Sequence, residues 1–87
     1  MPSTLHKIEL DARELEHPKP LEYAMKALQE LDQKSYFYMR HRKNPIPLLD
    51  MAQEQGLYTL SQEDESGIWH ILISKNPAIA LEELLRV

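Results

Sequence analysis

The stretch Leu15-Glu16-His17-Pro18-Lys19-Pro20-Leu21 decides how the chain is read, because it carries two prolines, one residue apart, into a helical pattern. Proline lacks an N–H group and is preset for the first helical turn. Lys19 precedes a proline and is biased toward an extended conformation. We therefore expect the helix to begin at Pro20, or at Pro18 if that bias is overridden. An amphipathic stripe follows at helical spacing: Leu21, Ala24, Met25, Leu28 and Leu31.

Short segments around this helix predict four strands and a second helix. Residues 7–11 alternate polar and apolar side chains, and residues 36–40 are rich in aromatic ones. The strongest strand pattern covers residues 68–74, after a weaker strand over residues 57–62 and an acidic turn. A second pair of prolines opens the second helix, which carries Leu48, Leu49, Met51 and Ala52 and should end at a left-handed Gly56.

The order of these elements predicts the pairing of the strands. A strand, a helix and a strand in succession imply a right-handed crossover and a parallel pair. The short turn between the last two strands implies an antiparallel hairpin. Residues 77–86 are expected to form a short terminal helix, with Asn76 and Pro77 as its cap and first position.

Composition limits the protein class. The chain has 87 residues, of which 43% are hydrophobic and 28% charged, which is typical of a globular protein. We expect one domain over residues 1–87, with its core in residues 7–75. Without cysteine there is no disulfide, thiolate nucleophile or cysteine metal site. No stretch is apolar enough for a membrane span, and no signal peptide is visible, so a cytoplasmic location is expected. The net charge of −4 makes nucleic-acid binding unlikely.

Four motifs carry a resemblance to a known family. They are Leu-Asp-Ala-Arg-Glu at 10–14, Pro-x-Pro-Leu at 18–21, Pro-Ile-Pro-Leu at 45–48 and Trp69 in the last strand. The order of the elements, with a Pro-x-Pro motif opening the first helix, resembles that of the TusA and SirA sulfur carriers over residues 7–75. His17 stands where those carriers have the cysteine that holds persulfide sulfur. The chain is still more similar to a cysteine-free, uncharacterised sister family, a domain of unknown function.

The resemblance implies an α/β two-layer sandwich with the element order βαβαββ. Two helices would lie on one face of a four-stranded mixed sheet, followed here by the short C-terminal helix. The first three strands would run parallel and the fourth antiparallel to them. The resemblance supplies no reaction once the cysteine is absent, because a fold alone does not give a function.

The first candidate site is the edge where the first two strands end and both helices begin. Ligands of open α/β sheets favour this edge, and helix N-termini favour anions. The residues expected near it, as an anion or partner site, are Arg13, His17, Lys19, Arg40, His41, Arg42 and Lys43. The alternative is a solvated basic loop whose charge is balanced by Asp11 and Glu14.

The histidines are weaker candidates for a metal or catalytic site. His17 and His41 share the basic edge, where Glu14 and Asp11 could complete a metal site. No two histidines have a ligand spacing such as His-x-x-x-His, so we expect no metal and no other cofactor. No serine, cysteine or threonine is visibly paired with a histidine, so we expect no enzyme. His70 is expected to be an ordinary residue of a sheet face.

The second candidate site is the sheet face without helices. If Phe37, Met39, Trp69, Ile71 and Ile73 face the helices, alternation gives the other face an apolar, aromatic surface. Such a surface normally marks an interface. The expected interface residues on it and on the tail are Tyr36, Tyr38, Tyr58, Leu60, His70, Leu72, Ile79 and Leu84. The tail could fold over its own sheet or help to build a homodimer, and we favour the homodimer.

The sequence therefore predicts a small non-catalytic binding or protein-interaction module. Its partner would be another protein or a second copy of itself. The alternative is an accessory protein of sulfur or redox metabolism that binds a small anion at the basic edge. An interaction module predicts a bare apolar face, whereas an anion-binding protein predicts that His17, Arg13 and Arg42 converge in a concave site.

Overall fold

The computed structural model describes residues 5–85. Four strands and three helices follow one another along the chain as the sequence predicts. They are β1 (His6–Asp11), α1 (Lys19–Leu28), β2 (Ser35–His41), α2 (Ile46–Glu54), β3 (Tyr58–Glu63), β4 (Trp69–Ser74) and α3 (Leu81–Leu84). Each predicted strand lies within one or two residues of its observed bounds.

The four strands form one mixed sheet in the order β1-β2-β4-β3. β1 and β2 are parallel, and β4 is antiparallel to both of its neighbours, β2 and β3. β1, β2 and β3 therefore run in one direction and β4 in the other, which confirms the predicted topology. In this register Tyr38 of β2 and Leu60 of β3 both lie opposite Leu72 of β4.

The main core lies between the sheet and the two longer helices. Alternate strand residues are fully buried on this face: Phe37, Met39, Ile71 and Ile73. The helices contribute the buried residues Ala24, Ala27, Leu28, Leu48, Leu49 and Ala52, and Trp69 packs against the same cluster. The predicted division of the sheet into a helix face and an open face is confirmed.

Both long helices begin in the same way. Pro18 precedes α1 and Pro45 precedes α2, and each helix has a second proline at its second position. α1 begins at Lys19, one residue from either predicted start. The extended bias of Lys19 is overridden because its N–H group donates to the Glu16 carbonyl at 2.9 Å, while the Pro18 carbonyl accepts from Glu22 at 3.1 Å.

A left-handed glycine follows α2, as the sequence predicts. Gly56 has a φ of +79°, a conformation that side chains with a Cβ adopt rarely. The next residue, Leu57, donates its N–H group to the Ala52 carbonyl at 2.9 Å. This hydrogen bond closes the end of the helix and turns the chain into β3.

The predicted tail helix over residues 77–86 is wrong in extent. Asn76 closes only one turn, in which its Oδ1 accepts from Ala78 and its carbonyl accepts from Ile79. Ala80 is then extended, with φ −81° and ψ 89°, and α3 covers four residues. Ile79 and Leu81 both pack against the sheet, and a continuous helix would place them about 200° apart. Residue 86 lies outside the described residues.

Within residues 5–85, no helix is both long enough and apolar enough to cross a membrane.

Candidate functional site

A pocket lies where α1 and α2 begin, and its volume is about 420 Å³. Its walls come from the two loops that enter the helices and from the first turns of the helices themselves. The lining residues are Leu15, Glu16, His17, Pro20, Leu21, Met39, His41, Arg42, Lys43, Asn44, Pro45, Pro47 and Leu48. The pocket thus combines an apolar floor with a rim of basic side chains.

Parallel pairing brings the two loops together. Because β1 and β2 are parallel, their carboxyl ends lie at one edge of the sheet, and each strand is followed there by a loop into a helix. Asn44 ties the second loop to the sheet, since its Oδ1 accepts a hydrogen bond of 2.7 Å from the Ser61 hydroxyl on β3. The rim residues of that loop are therefore anchored on both sides.

His41 is the last residue of β2 and is half-buried. Its Nδ1 accepts the N–H group of Arg42 at 2.8 Å, so the neutral ring carries its proton on Nε2. Burial lowers the pKa of His41 below its ordinary value, and the nearby charges of Arg42 and Lys43 lower this pKa further. The side chain is thus held as a neutral hydrogen-bond donor beside two cations.

The first turns of the helices offer few free backbone donors. The prolines at 20 and 47 have no N–H group, and the N–H groups of Lys19 and Ile46 donate to loop carbonyls. One N–H group in each first turn, that of Leu21 and that of Leu48, stands outside these hydrogen bonds. Together with the helix dipoles, these groups favour negative charge at the pocket.

Four of the seven residues predicted for the basic edge line the pocket: His17, His41, Arg42 and Lys43. The other three, Arg13, Lys19 and Arg40, do not. Arg40 belongs to the opposite face of the sheet because side chains alternate along β2. The predicted convergence of His17, Arg13 and Arg42 is therefore found for His17 and Arg42 only.

The two arginines that were predicted for the basic edge and lie outside the pocket have carboxylate partners. Arg13 donates two side-chain hydrogen bonds to Asp11, from Nε to Oδ1 at 2.8 Å and from Nη2 to Oδ2 at 2.7 Å. This bond with Arg13 holds the pKa of Asp11 well below its usual range. Arg40 donates from Nη2 to Glu9 at 3.1 Å. Asp11 thus balances the positive charge of Arg13, which is one part of the predicted charge balance.

On the open face of the sheet, three polar side chains form a chain of hydrogen bonds. The Tyr38 hydroxyl lies 2.6 Å from His70 Nδ1, and His70 Nε2 lies 2.8 Å from Asp64 Oδ2. The His70 side chain is only 12% exposed. His70 lies on a sheet face, as expected, but both of its ring nitrogens have side-chain partners because the hairpin turn brings a carboxylate to its far side.

The tail covers part of the same face. Leu72, Ile79 and Leu81 form a second buried cluster, around which Leu5, Tyr36, Tyr38, Leu60 and Leu85 pack. Three predicted interface residues stay outside it: His70, which is hydrogen-bonded to Asp64, and Tyr58 and Leu84, which are 47% and 37% exposed. The face is therefore not bare, and docking of the tail on its own sheet is the arrangement in the structure. The homodimer stays a prediction.

Two groups of site residues were missed in the sequence. In the apolar floor of the pocket, Leu15 was interpreted only as part of the loop into the first helix and Met39 as core, and only the parallel register places them under the rim. The sequence pattern indicates part of the contact of His70 with Tyr38 and Asp64. Residues 62, 64 and 70 share a face of the hairpin, and Tyr38 lies diagonally from His70 across the β2–β4 pair.

Over the part of the chain that the structure describes, no three His, Asp or Glu side chains come together in a way that could hold a metal ion.

Comparisons with known proteins agree with this fold. The chain matches a SirA-like protein from Desulfitobacterium hafniense, whose crystal structure superimposes with a TM-score of 0.68 at 27% sequence identity. The match covers 79% of this chain and 97% of the other. No protein of curated function matches the chain. Residues 9–75 match a family described as "Uncharacterized conserved protein (DUF2249)". The chain belongs to this uncharacterised family and has a SirA-like α/β fold.

Proposed function

We propose that the protein is a small binding module that holds an anionic ligand with an apolar body in the pocket between the starts of α1 and α2. The observation that carries the proposal is the convergence of His17, His41, Arg42 and Lys43 on one concave, apolar-floored site. Ligand pockets in proteins typically combine apolar walls with a few convergent polar groups, in volumes of roughly 300–1,000 Å³.

The other hollows fit this role less well. One on the open face holds about 180 Å³, which is small for a ligand site. Another, beside the tail, holds about 520 Å³ but has one cation, Lys34, opposed by Glu83. The pocket at the helix starts has two cations, Arg42 and Lys43, against one acid, Glu16. Charge therefore favours an anion there.

The ligand could be a free small molecule or an acidic group on a protein partner, and the pocket would hold the same chemistry in both cases. The role in sulfur or redox metabolism rests on family likeness alone. The pocket adds no thiolate to it, because the sequence has no cysteine, and by the resemblance His17 stands at the position of the sulfur carrier's thiol.

Amide shifts on titration with inorganic phosphate test the proposal. We expect residues 19–21 and 41–48 to shift first, since they form the rim and the two helix starts. The double variant Arg42→Ala/Lys43→Ala should weaken binding by about tenfold or more, because charge-assisted hydrogen bonds contribute about 1.5–3 kcal/mol.

The matched control removes the same charge elsewhere. Lys26 and Lys75 are exposed and do not line the pocket. The variant Lys26→Ala/Lys75→Ala should bind phosphate as the unchanged protein does. Shifts spread evenly over the surface, or equal losses in the two double variants, would support a solvated basic loop and contradict the proposal.

A further inference from the structure

The chain of hydrogen bonds from Tyr38 through His70 to Asp64 lies on the sheet face away from the pocket. The two ring planes are within 10° of parallel, and their centroids are 5.9 Å apart. With the phenol oxygen 2.6 Å from Nδ1, the rings meet edge to edge through the hydrogen bond. The arrangement joins β2, β4 and the hairpin turn in one line.

Asp64 is fixed in place by the turn. Its Oδ1 accepts the N–H groups of Ser66 at 2.8 Å and Ile68 at 3.1 Å, while Oδ2 faces His70. The hydrogen bond from His70, followed by that from the Ile68 N–H group, lowers the pKa of Asp64. The carboxylate is therefore ionised at neutral pH and accepts a hydrogen bond at Oδ2. In its neutral form, His70 donates this bond from Nε2–H, which leaves the Nδ1 lone pair facing the Tyr38 hydroxyl.

Tyr38 stays a neutral phenol until a base removes its proton, because burial raises its pKa. Two cations lie beside its ring, with Lys7 Nζ at 4.7 Å and the Arg40 guanidinium carbon at 5.8 Å from the centroid. A hollow of about 180 Å³ opens next to the phenol and is lined by Lys7, Tyr36, Tyr38, His70, Leu72, Leu84 and Leu85. A small group can therefore approach the Tyr38–His70 pair.

We propose that Tyr38 is an acyl-acceptor site, a phenol that takes a short acyl group from an activated ester, with His70 as its general base. Tyr38 Oη attacks the ester carbonyl and forms the new C–O bond as its proton passes to His70 Nδ1. The bond to the leaving alkoxide or phenolate breaks, and that group takes the proton from His70. The products are acyl-Tyr38 and the free alcohol, with His70 neutral again.

The surroundings select the acyl donor. The small hollow admits an acetyl-sized group and has apolar walls at Leu72 and the tail. Lys7 lines the hollow and brings a cation to it, with Glu9 Oε2 3.9 Å from its Nζ. Asp64 touches neither the acyl donor nor the reacting oxygen, so it is a positioning residue that sets the tautomer of His70.

Labelling of the full chain with p-nitrophenyl acetate tests the proposal, with peptide mass mapping to locate the acetyl groups. The described chain holds four tyrosines for comparison: Tyr23, Tyr36, Tyr38 and Tyr58. General-base catalysis contributes roughly 10²–10⁴-fold, so we expect Tyr38 to react about a hundredfold faster than the exposed Tyr23 and Tyr58. Equal or slower labelling of Tyr38 would overturn the proposal.

Two variants, His70→Gln and Asp64→Asn, separate base catalysis from mere accessibility, with Tyr58→Phe as their control. His70→Gln should reduce the Tyr38 rate by at least about tenfold, whereas Tyr58→Phe should leave it unchanged. Asp64→Asn keeps an oxygen for the turn but presents an amide donor to Nε2, which moves the ring proton to Nδ1 and removes the base. We expect a similar loss of rate, with a tautomer change in the ¹⁵N signals of His70. Retained Tyr38 labelling in either of these two variants, with the fold intact by circular dichroism, would overturn the proposal.

Discussion

His41 connects the fold to the chemistry of the pocket. It ends β2, and its ring is half-buried between two cationic neighbours, so its pKa lies below the ordinary value of about 6.5. Between the two values the unfolded chain binds more protons than the folded one. His41 therefore lowers stability as the pH falls through this range, and its unfavourable effect disappears above the unfolded value.

An anion in the pocket should reverse part of this shift. Negative charge beside His41 favours the protonated ring, so phosphate binding should raise the His41 pKa and take up a proton. Affinity should then increase as the pH falls through the range between the free and bound pKa values, by at most about tenfold per pH unit for one proton. Histidine NMR titrations with and without phosphate measure both values. A His41 pKa that phosphate leaves unchanged would contradict this linkage.

Among the elements, the tail is the one that the sequence predicted least well. Its apolar spacing suggested a single helix, yet Ile79 and Leu81 must face the sheet together, and this requires an extended residue between them. Helix propensity and the spacing of apolar residues do not reveal this requirement, because it depends on where Leu72 lies on the sheet. The strands and the two longer helices were predictable because each pattern matches one buried face.

Leu81 should hold the tail against the sheet. It is 6% exposed in the second cluster, whereas Leu84, in the same helix, is 37% exposed. Leu81→Ala should therefore lower the free energy of unfolding by about 2 kcal/mol, at the lower end of the range for buried leucines because the site lies at the molecular surface. Leu84→Ala, with the same chemical change, should cost less than about 0.5 kcal/mol.

Urea denaturation of both variants measures the difference. Equal losses for the two leucines would mean that the tail is not docked as described. In that case the homodimer predicted for the same face would become the stronger explanation of its apolar surface, and solution mass at several protein concentrations would decide between the two.

At the scale of the whole molecule, the protein belongs to an uncharacterised family and has a SirA-like α/β fold. The SirA-like fold places His17 at the rim of the pocket, and the chain contains no cysteine. The sequence could predict this edge because helix starts and strand ends are visible as patterns. It could not separate the pocket residues from Arg13 and Arg40, whose carboxylate partners, Asp11 and Glu9, depend on side-chain geometry.

Persulfide sulfur should not become attached to this protein. A thiolate is required to accept sulfur from a persulfide, and an imidazole at position 17 cannot form the corresponding bond. After incubation with a cysteine desulfurase and its substrate, intact mass spectrometry should find the unmodified mass. The variant His17→Cys serves as the positive control, since it restores a thiol at the same position. A bound sulfur on the unchanged chain would contradict the prediction.

The location of a bound ligand tests the central claim most directly. Phenyl phosphate combines an anion with a small apolar body, and intermolecular nuclear Overhauser effects can report which side chains its ring protons contact. The account predicts contacts with methyl groups of the pocket floor, those of Leu15, Leu21 and Met39, while the amides of the 41–48 loop shift. Contacts with Leu72 or Leu84 on the open face, or no contacts at concentrations that saturate the amide shifts, would contradict it.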